Sequence, residues 1–307
     1  MRPHFSRRDV SGILVLDKPP GLTSNAALQR VRRLFQADKG GHTGSLDPLA
    51  TGLLPICLGE ATKLSGHLLD ADKRYVVRAS VGACTSTADA EGEVVRRSEP
   101  ALLTREALEQ ALAAFRGPIL QRPPMYSALK HKGRRLYELA REGVEVERPA
   151  RPVTISGLAL RAFEPGSFEL DVRCSKGTYI RSLVEDLAAA TGQCAHVASL
   201  RRLAAGPFGE SQMVSAEHLE QVAEQGLAAL DALLLEPLAG VADWRRVVVD
   251  EARSLRLSQG QAVALDQAGG MQSGAVAIVD EAARLLGLGE VDANGRLAPR
   301  RWLHQSG

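Results

Sequence analysis

The sequence lacks the features of a membrane-inserted or exported protein. No apolar run approaches the ~20 residues that a membrane span needs. The first ten residues, MRPHFSRRDV, contain no apolar core of the kind found in a signal peptide. We therefore expect a cytoplasmic protein with no membrane partner.

Cysteine is also scarce, and its spacing excludes two kinds of site. The four cysteines, Cys57, Cys84, Cys174 and Cys194, are far apart, and none forms a CxxC pair. This spacing fits neither a disulfide framework nor a zinc clip. We expect reduced thiols that are at least partly buried.

Several enzyme motifs are missing from the glycine-rich stretch GGHTGSLDPLATGLLP at residues 40–55. A phosphate-binding P-loop has Lys directly after its last glycine, whereas Gly52 is followed by LLP, and the dinucleotide fingerprint GxGxxG is absent too. His42 and Asp47 are too few to hold a metal ion without further ligands. Neither the GxSxG of a serine nucleophile elbow nor the PCxxC of a zinc nucleobase deaminase occurs in the chain.

Asp47 is the acidic residue that this stretch contains, and Pro48 follows it. Asp-Pro beside glycines is common in surface turns, so a turn is the simplest interpretation. The alternative that survives the missing motifs is a catalytic carboxylate held by backbone groups, which needs no metal.

Charge is unevenly distributed although the net charge is only +2. Residues 1–40 contain eight basic and three acidic residues, and residues 121–135 contain five basic and no acidic ones. Residues 217–243 contain six acidic and no basic residues. This segregation indicates a polyanion partner for one face, or else ordinary solvated faces.

Hydrophobic periodicity predicts a mixture of strands and helices. Four strands are expected, at residues 13–16, 75–81, 152–163 and 168–174. The predicted helices begin after caps at Ser24 and Thr104, lie around Leu136 and Leu139, and run from Ile180 to a stop at Gly192. Because the two kinds of element do not alternate regularly, the pattern favours an α+β fold on a mainly antiparallel mixed sheet.

The hydrophobic pattern changes beyond Trp244, where the sequence consists of a series of short apolar runs. Asn294-Gly295 is a strong hairpin signal. We therefore expect two domains, a large one at residues 1–243 and a small β-rich one at residues 244–307.

The stretch GGHTGSLDPLATGLLPICLGEATK closely resembles the catalytic motif of the TruB-type tRNA pseudouridine synthases, which isomerise uridine 55 in the T-loop of tRNA. DKRYVVRASVG, CSKGTYIRSLVEDLA and HVASLRRLAAGPF resemble other active-site motifs of this family. RPPMYSALKHKGRRLYELAREG resembles its RNA-clasping insertion, at about residues 121–151. The resemblance runs from about residue 10 to 215, and the last sixty residues are less clearly similar to the family's PUA RNA-binding domain. LATGLLP favours the bacterial type, which works without a guide RNA.

The resemblance implies an enzyme catalytic domain at residues 1–243 that acts on a flipped-out uridine of tRNA with no metal or other cofactor. We expect the protein to be a monomer. The resemblance also implies that Asp47 is catalytic, that Arg181 keeps it anionic, and that Tyr75 stacks on the uracil and takes part in proton transfer. We expect the arginine to outweigh burial and lower the pKa of Asp47. The remaining substrate-binding residues implied by the resemblance are His42, Tyr179, Leu200 and Lys18.

Two other functions fit the same sequence. A non-enzymatic tRNA-binding protein or tRNA-folding chaperone would use the same basic face without the chemistry. A synthase of the same family could act on a different RNA.

Overall fold

The computed structural model describes residues 7–265 and 273–304. Arg2 of the basic N-terminal stretch and parts of the predicted C-terminal domain lie outside these ranges. The strands are β1 Gly12–Lys18, β2 Gly40–His42, β3 Thr51–Leu58, β4 Lys73–Val81, β5 Ala83–Thr85, β6 Val94–Arg97, β7 Gly117–Gln121, β8 Lys130–His131, β9 Arg134–Arg135, β10 Arg151–Glu164, β11 Ser167–Cys174, β12 Ala195–Ala205, β13 Val214–Ser215, β14 Arg246–Val248, β15 Val263–Ala264, β16 Gly274–Val279, β17 Leu285–Val291 and β18 Arg296–Trp302. The α-helices are α1 Ser24–Leu34, α2 Ser65–Asp70, α3 Arg105–Ala114, α4 Leu136–Arg141, α5 Ile180–Ala190, α6 Ala216–Ala223, α7 Leu227–Asp231 and α8 Glu251–Ser258.

One large sheet forms the centre of the molecule. Its strand order is β13-β1-β3-β12-β4-β11-β10-β7, and β2 pairs with the end of β3. The pairs β1–β13 and β3–β12 are parallel, and the other neighbours are antiparallel. The predicted α+β fold with a mainly antiparallel mixed sheet is confirmed, as are the four predicted strands.

The strand β1 is apolar on both of its faces because the sheet has a hydrophobic core on either side. Leu14 and Leu16 belong to the main core, under the helices. Ile13 and Val15 belong to a second core on the opposite side. Burial on both faces explains why the strand reads as a continuous apolar run, without alternation.

The helix α1 lies where it was predicted, but its cap is a different residue. Thr23, in place of the predicted Ser24, accepts a hydrogen bond from the Ala26 N–H at 3.1 Å. Ser24 is the first helical residue, and its buried hydroxyl bonds the backbone of Leu46. The prediction for Ser24 was wrong because either hydroxyl suits a cap, and only the tertiary contact distinguishes them.

The helices α3 and α5 confirm their sequence signals. Thr104 caps α3 by accepting a hydrogen bond from Ala107 N–H. On α5 the apolar face formed by Leu183, Val184 and Leu187 is fully buried against the sheet. The chain leaves this helix at Gly192, whose φ of +73° suits glycine.

The C-terminal residues form a second, five-stranded sheet in the order β14-β16-β17-β18-β15. The predicted Asn294-Gly295 turn joins β17 to β18, which pair antiparallel. One face of this sheet carries its own core, which includes Val276 and Leu297. The other face, through Val279 and Leu288, joins the second core behind β1 and β3. The two sheets are therefore packed together through shared apolar residues.

All four cysteines are buried free thiols, as expected. Within residues 7–265 and 273–304, no helix is long and apolar enough to cross a membrane.

Candidate active site

The loop that carries Asp47 is anchored by hydrogen bonds along its length. Thr43 N–H donates to the carbonyl of Pro55 at 3.1 Å, and Leu46 N–H donates to the Ser24 hydroxyl at 2.7 Å. The carbonyl of Pro48 accepts from Gly21 N–H at 2.8 Å. The loop between β2 and β3 is thus fixed to β3, α1 and the turn after β1, which makes it a rigid support for a carboxylate.

Asp47 and Arg181 form a two-point ion pair. The Nε atom of Arg181 lies 2.9 Å from Oδ2 of Asp47, and a terminal nitrogen lies 3.2 Å from Oδ1. The arginine side chain is only 5% exposed, whereas the aspartate side chain is 36% exposed. Both carboxylate oxygens are therefore held by a buried guanidinium, while the aspartate side chain still reaches solvent.

Two backbone carbonyls complete the setting of Arg181. Its Nη1 donates to the carbonyl of Thr87 at 2.9 Å, and its Nη2 donates to that of Tyr126 at 2.7 Å. These acceptors lie in the loop after β5 and in the predicted insertion. Arg181 therefore connects three separate segments of the chain: the Asp47 loop, the β5–β6 loop and the insertion.

A second carboxylate, that of Asp89, lies beside the same guanidinium, and no sequence pattern predicted it. Its Oδ2 is 3.8 Å from Arg181 Nε, and its side chain is 4% exposed. The Thr87 hydroxyl and the Glu91 N–H donate to its Oδ1. Asp89 is therefore a fixed negative charge behind Arg181, on the loop between β5 and β6.

The pKa of Asp47 is raised above its ordinary value. Burial is the largest cause, and the neighbouring Asp89 charge adds to it. Arg181 and Lys18 act in the opposite direction without outweighing burial. The expectation that the arginine lowers the pKa below its ordinary value was wrong in sign for the free protein, although the arginine does oppose the rise.

The strands β4 and β12 place Tyr75, Leu200 and Arg202 together. Tyr75 is directly opposite Arg202 in the antiparallel pair, and Leu200 is opposite Val77. Tyr75 is 8% and Leu200 7% exposed. Burial raises the pKa of the Tyr75 hydroxyl, and the positive charge of Arg202 opposes this rise. The phenol is therefore neutral at ordinary pH, as a stacking ring or hydrogen-bonding group should be.

Arg202 itself was not predicted, yet it is 1% exposed and supports the Asp47 loop. Its Nε donates to the carbonyl of Leu53 at 2.6 Å, and its Nη2 donates to that of Gly44 at 3.1 Å. This guanidinium therefore joins β12 to both ends of the loop.

Tyr179 is the residue that precedes α5, so it lies two positions from Arg181. It is half-buried, and burial raises the pKa of its hydroxyl. Asp47 acts on this hydroxyl electrostatically, as it does on that of Tyr75. Both tyrosines therefore lie in the electrostatic surroundings of the same carboxylate.

His42 pairs with Ile56 at the edge where β2 meets β3. Burial and the charge of Arg202 lower the pKa of its imidazole. Its buried Nδ1 has no hydrogen-bond partner among the residues that the structure describes. His42 is thus a neutral ring beside the Asp47 loop, with an unused ring nitrogen.

Lys18 is fully buried, and its ammonium group holds backbone carbonyls. Nζ donates to Pro19 at 2.9 Å, to Leu22 at 2.7 Å and to Pro48 at 3.3 Å. Burial lowers the pKa of this lysine to about 8. Its contacts are those of a structural residue that ties the Asp47 loop to the end of β1, with an electrostatic effect on Asp47.

The predicted insertion carries a short basic hairpin. The strands β8 and β9 pair, with Lys130 opposite Arg135. Lys130, Lys132, Arg134 and Arg135 are exposed, and Arg134 forms an ion pair with Glu142 at 2.5 Å. Among the described residues, no group of three or more His, Cys, Asp or Glu side chains could hold a metal ion.

Comparison with known proteins identifies the family. Residues 32–180 match the model of the TruB family pseudouridylate synthase N-terminal domain, and residues 181–251 match that of the tRNA pseudouridylate synthase B C-terminal domain. Residues 246–303 match the model described as Pseudouridine synthase II TruB, C-terminal. The chain is 55% identical over 296 residues to the tRNA pseudouridine synthase B of Stutzerimonas stutzeri. This match covers 96% of this chain and 96% of the relative. This chain belongs to the TruB family.

A second TruB relative, the tRNA pseudouridine synthase B of Pseudomonas aeruginosa, is 52% identical over 296 residues, or 96% of this chain. Two solved structures share the fold. A Cbf5-Nop10-Gar1 complex gives a TM-score of 0.72 at 24% identity over 96% of this chain and 84% of that one. An H/ACA RNP bound to a substrate RNA containing 2'-deoxyuridine gives a TM-score of 0.74 at 20% identity. That match covers 98% of this chain and 92% of the other.

Proposed function

We propose that this TruB-family enzyme isomerises uridine 55 in the T-loop of tRNA to pseudouridine. The observation that carries the proposal is the Asp47–Arg181 ion pair, in which a fixed carboxylate remains open to solvent. The names of the relatives, tRNA pseudouridine synthase B, supply the substrate class. We further expect the enzyme to act in the cytoplasm and as a monomer.

The reaction needs little beyond a carboxylate and a closed pocket. The N1–C1′ glycosidic bond breaks, the uracil rotates, and C5 forms the new bond to C1′. The proton on C5 is then lost and N1 gains one, so no electrons or atoms are exchanged with a cofactor. An ionised carboxylate serves whether it attacks as a nucleophile or takes a proton from the ribose.

The surrounding side chains fit this chemistry. In the proposal Arg181 opposes the effect of burial, so that more of Asp47 is anionic at neutral pH. Tyr75 stacks on the extruded uracil, and such a contact is worth ~1–3 kcal/mol per base. Tyr179 and Leu200 line the same pocket, and His42 enters the gap left by the base. Lys18 keeps the Asp47 loop in place.

Base extrusion costs a few kcal/mol, which contacts with RNA must offset. The exposed basic hairpin of β8 and β9 is suited to contact phosphates. We propose that residues of the insertion close on the tRNA, and that residues 244–307 form a PUA-like RNA-binding domain.

The test uses an unmodified tRNA transcript, in which every uridine is still uridine and none is pseudouridine. The transcript is incubated with the enzyme and treated with carbodiimide, and primer extension maps pseudouridine as a stop. A stop at position 55 is the expected result. Tight binding without any stop would favour the tRNA chaperone, and a stop only in another RNA would favour a different substrate.

A further inference from the structure

Gln121 is the last residue of β7, at the base of the insertion, and its side chain forms two hydrogen bonds with the backbone of Tyr179. Its Oε1 accepts a hydrogen bond from Tyr179 N–H at 2.7 Å, and its Nε2 donates to the Tyr179 carbonyl at 3.0 Å. Gln121 is 2% exposed. The oxygen and the nitrogen of one buried side-chain amide thus both bond the backbone of the same residue.

Tyr179 is the point at which the chain turns into α5. Its backbone is extended, with φ −101° and ψ 110°, and its side chain forms no capping bond. Its N–H lies outside the hydrogen bonds of the helix, and an unpaired buried N–H costs ~1–3 kcal/mol. Gln121 satisfies this group and at the same time fixes the direction in which α5 begins. Arg181 is the second residue of that helix.

Two further bonds tie the first turn of α5 to the same segment. The Ser182 hydroxyl donates to the carbonyl of Arg122 at 3.1 Å. Arg181 donates to that of Tyr126 at 2.7 Å. Both could adjust to a small rotation of α5, because each joins one side-chain donor to one carbonyl. The Gln121 amide joins two points of one peptide backbone and does not allow that rotation.

We propose that Gln121 is a positioning residue that sets the start of α5 and thereby aims Arg181 at Asp47. It couples the base of the insertion to the catalytic ion pair. The proposal rests on the proposed function, since it assigns Gln121 a role through Asp47 and Arg181. A displacement of about 1 Å in such a pair is enough to cost ~100-fold in rate.

The test compares Gln121→Met with Gln193→Met. Methionine keeps the length of the side chain and removes both hydrogen bonds. Gln193 is a buried glutamine just beyond the other end of α5, and its Oε1 has no hydrogen-bond partner in the part of the chain that the structure describes. Single-turnover rates with excess enzyme, tRNA affinity and thermal midpoints are measured for both variants and the wild type.

Gln121→Met should lower the single-turnover rate ~100-fold while tRNA affinity stays within about threefold. Gln193→Met should keep the wild-type rate. The acid limb of the rate should also move to higher pH in Gln121→Met, because a displaced Arg181 opposes the raised pKa of Asp47 less well. The other charges that act on Asp47, those of Asp89 and Lys18, are unchanged in this variant.

A second variant keeps the test valid if Gln121→Met lowers the thermal midpoint. Gln121→Asn keeps a neutral amide on a side chain one methylene shorter, which can bond at most one of the two Tyr179 backbone groups, so its rate should lie between those of the wild type and Gln121→Met. Rates within threefold of the wild type for both variants, or an equal loss in Gln193→Met, would overturn the role of Gln121. A wild-type enzyme that forms no pseudouridine in tRNA would instead overturn the proposed function, before any variant is compared.

Discussion

Asp47 and Arg181 meet through two nitrogen–oxygen contacts, of 2.9 Å and 3.2 Å, although 134 residues separate them in the chain. The aspartate comes from a loop pinned to β3 and α1, and the arginine from the first turn of a helix packed on the sheet. Because both sides are fixed, the pair has a defined geometry before any RNA binds. Such preorganisation is a major source of rate enhancement in enzymes.

The charges around Asp47 should shift the pH dependence of the rate in opposite directions. Asp89 raises the pKa of Asp47 and Arg181 lowers it. Since the proposed reaction needs the anion, Asp89→Asn should move the acid limb of the single-turnover rate to lower pH. Arg181→Met should move it to higher pH and also lower the plateau by ~100-fold or more. Shifts of the same sign in both variants would show that these charges do not act through Asp47.

Gly52 should be intolerant of a side chain for a reason internal to the fold. Its φ is +98°, and an added Cβ would lie 2.3 Å from the carbonyl oxygen of Arg202. Gly52→Ala should therefore lower the free energy of unfolding by ~2 kcal/mol or more. Gly66, on α2, has nothing within 4 Å of such a Cβ, so Gly66→Ala is the matched control. Equal denaturation midpoints for the two variants would refute the packing argument.

The basic hairpin should determine much of the salt dependence of tRNA binding. Neutralising Lys130, Lys132, Arg134 and Arg135 together should weaken binding and make the plot of log affinity against log salt shallower by about 2 to 3 units. The slope should change by less than the value expected for four free charges, because Arg134 is already paired with Glu142. Arg105→Gln, on α3, is the control, since its guanidinium pairs with Glu109. An unchanged slope would remove the hairpin from the interface.

Lys18 should matter for the position of the loop and not for the chemistry itself. Lys18→Met removes hydrogen bonds to three carbonyls, one of them that of Pro48 in the Asp47 loop. We expect a loss of ~1–3 kcal/mol in the free energy of unfolding and a rate loss well below that of Asp47→Asn. A rate as low as that of Asp47→Asn, in a variant of wild-type stability, would assign Lys18 a direct catalytic role.

Local patterns predicted the elements whose burial follows a regular period. The alternation in β4 and the apolar stripe of α5 are read directly from the sequence, and the structure has both. The strand β12 was not predicted. Its pairing with β4 shifts register between Val197 and Ser199 and again between Arg202 and Ala204, so buried residues lose their period of two.

The residues missed at the site act through contacts between distant parts of the chain. Arg202 faces Tyr75 only because β12 pairs with β4, and Asp89 is drawn to Arg181 by the loop after β5. Gln121 lies 58 residues from the backbone that it holds. The sign of the pKa shift of Asp47 was missed for a similar reason, since it depends on how deeply the folded loop buries the carboxyl.

The most direct test of the central claim is the effect of Asp47→Asn on turnover and on binding. The substitution keeps the size and shape of the side chain and removes the anion. We expect pseudouridine formation at position 55 to be abolished under single-turnover conditions, while tRNA affinity stays within about tenfold of the wild type. Persistent turnover, or a loss of binding as large as the loss of rate, would contradict the account.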